Sequence, residues 1–232
     1  MRPSFLFPVI LIISACEMVI PEQETKPLRK STSATAQVSA RTFVQVVERM
    51  EPVAERLCLQ ETTGANCDFQ IVVDTRKGQP PNAYQTVDRS GRPIIAFTVS
   101  LIAAAQNQDE LAFVMGHEAA HHISGHLTRT RDSAVAGAVV GGLLATLAGA
   151  DASAIGTAQD YGATIGARRF SKDFELEADS LGTVIAFRAG FDPERGAEFF
   201  TRIPDPGNRF LGTHPPNAAR IEVVRETLAG LR

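Results

Sequence analysis

Apolar residues fall into two rhythms along the chain, and the changes between them mark its elements. Phe43, Val46, Val47, Met50, Val53, Ala54 and Leu57 recur at intervals of three and four, which stacks side chains on one face of a helix. Pro52 interrupts that run and is expected to bend or divide the helix. The rhythm then shortens. Phe69-Gln70-Ile71-Val72-Val73-Asp74, Asn82-Ala83-Tyr84-Gln85-Thr86-Val87 and Ile94-Ile95-Ala96-Phe97-Thr98 read as three strands, punctuated by Lys77-Gly78, Pro80-Pro81 and Arg89-Ser90-Gly91-Arg92. Helical spacing returns from Gln108 to Leu127 and from Phe174 to Ala189, where Gly190 is placed to stop it. Asp192-Pro193 then supplies an N-cap and first helical position for a helix running to about Ile203. Pro216 opens the last helix, with Ala219, Ile221, Val224 and Leu228 on its packed face. The pattern predicts an α+β domain, mostly helical, with a small sheet before a central helix.

Two stretches follow neither rhythm. Residues 16–40 are rich in Pro, Glu, Lys, Ser and Thr and read as a flexible tether, leaving residues 41–232 as the folded domain. Ser133 to Ala150 carries no charge and is rich in Ala and Gly, including Gly137, Gly141 and Gly142. It is marginally long enough to cross a bilayer. Its small residues give little transfer energy, however, and Arg129, Arg131 and Asp132 stand close by. A helical hairpin packed by small residues, or an ordered lid near the site, is the expectation; a segment inserted in the bilayer is the rival.

The first residues carry an address. After Met1-Arg2, the run Phe5 to Ile13 is almost wholly apolar and ends in Ile13-Ser14-Ala15-Cys16. It is too short for a bilayer core of about 30 Å, so residues 1–15 read as a secretory signal. The last four resemble a bacterial lipobox, which implies cleavage before Cys16 and lipid attachment there. Glu17 is not the aspartate of an inner-membrane retention signal, so a Gram-negative host would sort the chain to its outer membrane, facing the periplasm. In that oxidising compartment Cys58 and Cys67, which bracket Thr62-Thr63-Gly64-Ala65-Asn66, are expected to form a local disulfide. A net charge of −3 offers no basic footprint for nucleic acid.

Chemistry concentrates in His117-Glu118-Ala119-Ala120-His121 on the central helix. Residues four apart share a helix face, so both imidazoles can meet one metal ion. Glu118 sits about 100° around, in reach of a water there. Zinc suits two neutral histidines plus a carboxylate, with a position left open for water. Glu175-Leu176-Glu177-Ala178-Asp179 offers Glu175 and Asp179 on one face of a later helix. Asp179 could accept a hydrogen bond from a ligand histidine and fix its tautomer. Glu177 points elsewhere and reads as solvent-facing.

Together with Ser171-Lys172-Asp173-Phe174 before that run and Thr213-His214-Pro215-Pro216 after it, these motifs resemble metallopeptidase family forty-eight. That family holds HtpX, the CaaX prenyl proteases, the mitochondrial OMA-type proteases and periplasmic lipoproteins. The resemblance extends over roughly residues 43–232, including Asn82-Ala83-Tyr84, Glu110-Leu111-Ala112, Gly190-Phe191-Asp192-Pro193 and Arg220. Lys172 stands where the family commonly has arginine, and Ser100 where glycine is usual. The resemblance implies a zincin-like (gluzincin) domain whose small sheet lies beside the active-site helix. One zinc ion per chain would be held by His117, His121 and Glu175, with Glu118 as general base. His214 would stabilise the oxyanion or occupy the open zinc position. His126 matches a recurrent family histidine, yet it and His122 stand at the wrong helical angle for the same metal and read as packing or surface groups. A strand within residues 82–98 is the candidate edge for peptide binding. Unfolded or misassembled envelope proteins are the implied substrates, with the membrane reached through the lipid anchor. The alternative is an envelope chaperone or assembly factor whose peptidase activity is residual or latched.

Overall fold

Three strands and eight α-helices follow one another in the computed structural model, which describes residues 33–207, 212 and 214–232, with side chains from residue 39. The signal segment 1–15, Cys16 and the tether as far as residue 32 lie outside the described residues. Helix α1 (Ser33–Glu61) leads to β1 (Gln70–Asp74), β2 (Ala83–Val87) and β3 (Pro93–Thr98). There follow α2 (Val99–Ala104), α3 (Gln108–Ile123), α4 (His126–Leu147), α5 (Ala152–Arg169), α6 (Ser171–Arg188), α7 (Pro193–Ala197) and α8 (Asn217–Leu231).

The sheet order is β1-β3-β2, with β3 parallel to β1 and antiparallel to β2. Strand β2 is therefore an edge. The apolar stripe of α1 is buried, and Val46 and Met50 meet Phe69 and Phe97 of the sheet region and Leu111 and Met115 of α3 in one core. Each such large side chain contributes about 1.5–3 kcal/mol on burial. Pro52 does not divide α1, which runs through it. It is exposed, so water can serve the backbone carbonyl that loses its partner. A disulfide joins Cys58 at the end of α1 to Cys67 before β1.

Several boundaries differ from the expectation. Helix α1 begins at Ser33, inside the span read as tether; Ala34, Ala36 and Ala40 extend a helix whose nucleus α1 provides. The central helix does not reach Leu127. It stops at Ile123, and Gly125 at φ 64° starts a new direction for α4. After Asp192, α7 ends at Ala197 and tightens into a 3₁₀ turn over Glu198–Thr201.

The uncharged stretch forms one arm of a hairpin, and α5 forms the other. Glycines line the seam. A Cβ on Gly137 would stand 2.1 Å from the Gly162 carbonyl oxygen, and one on Gly141 2.2 Å from that of Ala158. Backbone touches backbone there, leaving no room for large side chains between the helices. Val135, Val139, Val140, Leu143, Leu144 and Leu147 consequently point outward and are exposed. Among the described residues, no helix is long and apolar enough to cross a membrane.

Candidate metal centre

Helix α3 is fixed at its start. The Asn107 side chain accepts a hydrogen bond from the Glu110 backbone N–H, and Glu110 in turn accepts one from Gln106 N–H, a reciprocal cap. Farther along, α3 meets α6 through two glycines. A Cβ on Gly116 would lie 2.6 Å from the Gly182 carbonyl oxygen, and one on Gly182 2.7 Å from the His117 backbone nitrogen. This close approach lets a carboxylate on α6 reach the histidines on α3.

Three candidate ligand side chains converge. His117 Nε2 and His121 Nε2 are 3.0 Å apart, and Glu175 places Oε1 3.3 Å from His121 Nε2 and Oε2 3.7 Å from His117 Nε2. Donors sharing one ion at about 2.0–2.2 Å stand about 3.3 Å apart at tetrahedral angles. The donor set and its spacing therefore fit a single zinc-sized ion, and His117, His121 and Glu175 are the metal-capable group among the described residues. Burial works to raise the Glu175 carboxyl, but the His121 hydrogen bond and the charges of His117 and Arg220 lower it to about 2. Glu118 faces the same cleft, and burial pushes its carboxyl up despite the neighbouring histidines.

Asp179 lies behind His117. It is fully buried and sits 2.9 Å from His117 Nδ1, which leaves Nε2 for the metal side. Arg220 on α8 grips both Asp179 oxygens at 2.7 Å and places its guanidinium 4.0 Å above the Phe200 ring. Buried, charge-assisted and bidentate, this pair is the strong kind. The sequence marked Arg220 as a family position without a role, and Gly116 and Gly182 passed unnoticed.

His126 packs inward and Glu177 is exposed, as expected, but both are also engaged beside the site. His126 Nδ1 lies 2.8 Å from His121 Nδ1, and the ring stacks on Phe174 at 4.5 Å and 11°. In an unbroken helix the two histidines would diverge by about 140°. The turn at Gly125 removes that divergence, and a glycine closing a helical run was the signal available in the sequence. Glu177 is half-exposed but engaged, accepting a hydrogen bond from Arg129 at 2.9 Å and standing 3.2 Å from His126 Nε2. His122 does turn away, reaching the Asn66 carbonyl at 2.8 Å and the edge of Phe69.

A cleft of about 1040 Å³ opens over these groups. Residues 82–85 at edge strand β2 form one wall, and Leu127, Thr130 and Ala134 of α4 contribute to another. His214 sits at its rim, its side chain 54 % exposed and its Nε2 3.8 Å from Glu175 Oε2.

The family model for peptidase family M48 matches residues 40–228. The chain belongs to that family. M48 peptidases are metal-dependent, and the mostly helical domain with its small sheet is the zincin-like fold. Among curated relatives, the chain is 35% identical over 145 residues to a Vibrio cholerae protein carrying the beta-barrel assembly-enhancing protease name, covering 57% of this chain and 30% of that one. It is 30% identical over 200 residues to the mitochondrial metalloendopeptidase OMA1 of Saccharomyces cerevisiae, covering 80% of this chain and 54% of that one. The Escherichia coli beta-barrel assembly-enhancing protease is 29% identical over 146 residues, again covering 57% and 30%. The M48 chain thus spans from about a third to about half of the curated relatives it matches.

Proposed function

We infer that the chain is a zinc-dependent metalloendopeptidase that degrades unfolded or misassembled proteins of the cell envelope. One observation carries this reading: two histidines and a carboxylate converge from α3 and α6 at the floor of a cleft, with a buried glutamate beside them. When bound, zinc supplies Lewis-acid polarisation and lowers the pKa of water at its open position toward about 7. Glu118 takes a proton from the attacking water and delivers it to the leaving amine. Burial, which raises its carboxyl, suits it to carry that proton. His214, at the rim beside Glu175, steadies the developing oxyanion. Asp179, held by Arg220, keeps His117 in the tautomer and ring angle that ligation needs.

Edge strand β2 suits an extended substrate. Its outer backbone groups are available for strand addition, and the cleft runs alongside it. The names of the bacterial relatives support an envelope substrate, and the lipobox ending at Cys16 supports a lipid-anchored chain on the periplasmic side of the outer membrane. Cys16→Ala should then move the protein from the membrane fraction to the soluble fraction; retention in the membrane would count against the anchor. For the chemistry, Glu118→Gln should bind zinc as the native chain does yet cleave an unfolded reporter protein about 10²–10⁴-fold more slowly. Equal rates would leave the assembly-factor reading in its place.

A further inference from the structure

Both candidate ligand histidines have a partner at the ring nitrogen turned away from the metal side, and the two partners differ in kind. Behind His117 stands a carboxylate, Asp179. Behind His121 stands another imidazole, and no carboxylate approaches that nitrogen among the interactions described. The geometry points to His126 as a positioning residue for metal binding: its Nδ1 accepts the His121 Nδ1–H and thereby fixes the His121 ring for ligation through Nε2. This rests on the ligand set proposed above.

Five features build the contact. His121 Nε2 faces His117 and Glu175, so ligation there leaves the His121 proton on Nδ1. That N–H has an acceptor 2.8 Å away in His126 Nδ1. An accepting Nδ1 obliges neutral His126 to carry its own proton on Nε2. Glu177 Oε2 stands 3.2 Å from Nε2, close enough for charge to favour that proton though outside hydrogen-bond alignment. The ring itself is clamped. His126 is 4 % exposed and lies flat on Phe174, while Arg129 stacks on Phe174 at 4.2 Å and holds Glu177 in place. The bend at Gly125, in a left-handed conformation closed to most side chains, is what brings His126 back toward α3. A chain that needed His126 only to fill space would have no use for this alignment of nitrogens.

The roles of shape and acceptor separate by substitution. His126→Asn keeps an acceptor where Nδ1 stands, His126→Gln carries its amide farther out, and His126→Leu fills the space without any acceptor. Zinc affinity of the full chain, read by competition with a chromogenic chelator, should fall about 10–100-fold for Leu and Gln and stay within about threefold of native for Asn. The visible spectrum of the cobalt-loaded chain should change for Leu and Gln and stay native-like for Asn. Unfolding of the metal-free proteins checks that each variant folds, and if Leu does not, the Asn–Gln pair decides. Native affinity in Leu or Gln, or equal weakening in all three, overturns the inference. Glu175→Gln serves as the reference: its loss of zinc alongside unaffected His126 variants sinks this inference alone. Zinc binding that survives Glu175→Gln sinks the ligand set and this inference with it.

Discussion

At Gly182 the candidate metal centre depends on an atom that is missing. A Cβ there would meet the backbone of His117 at 2.7 Å, so Gly182→Ala must push α6 away from α3. Glu175 travels with α6, and the Asp179 support of His117 travels too. The substitution should cost about 1–3 kcal/mol in denaturant unfolding and weaken zinc binding in a chelator competition; native affinity would show that this crossing does not set the ligand spacing. Residues of this kind mark the limit of what the sequence displays. The candidate ligands His117, His121 and Glu175, and the proposed base Glu118, declare themselves by residue type and spacing, because ligation and proton transfer need particular atoms. Gly182 does its part through an absence, and nothing in its neighbourhood distinguishes it from any other helix glycine.

Elements were legible where one periodicity ruled and obscure where backbone geometry did. The strands stand within a residue of their expected bounds because alternation and turn residues agree. The break between α3 and α4 was lost because helical spacing continues across Gly125, and with it went the approach of His126 to His121. Residues 133–150 read as either a hairpin or a lid; they form one arm of a hairpin, and the pattern does not mark the second arm, since α5 carries no buried residue and so no apolar stripe. Strands β1 and β2 are linked beyond β3 by a cluster at Asp74, which accepts hydrogen bonds from Arg76 and from the Tyr84 hydroxyl. The hydrogen bonds from Arg76 act first, and together they lower the Asp74 carboxyl to about 2 from a usual value of 3.8. A depressed folded-state value means the stabilisation is complete above about pH 4 and fades as pH falls through about 2. Asp74→Asn should therefore unfold at a lower temperature than the native chain at pH 5, and the gap should close near pH 2. A constant gap would mean that the carboxylate charge plays no part.

On the scale of the molecule, the chain divides its labour in space. Helices α3, α6 and α8 carry the proposed ligands, Asp179 and Arg220, while the hairpin contributes His126, at its foot, and one wall of the cleft. The family match over residues 40–228 takes in both parts. The glycine seam has a further consequence. A Cβ on Gly166 would lie 2.1 Å from the Ser133 carbonyl oxygen, so the chain leaves for the hairpin and returns from it at practically one point. In topological terms the segment between them is an insertion, spliced into a domain whose two ends at that point already touch. Replacing residues 134–165 with a short glycine linker should leave a folded protein that binds zinc like the native chain, as measured by chelator competition. Loss of binding would show that the arm shapes the metal centre. If binding persists, the exposed valines and leucines of the arm answer to whatever they touch, free of the demands of hydrolysis, and evolution or an engineer can exchange one without disturbing the other.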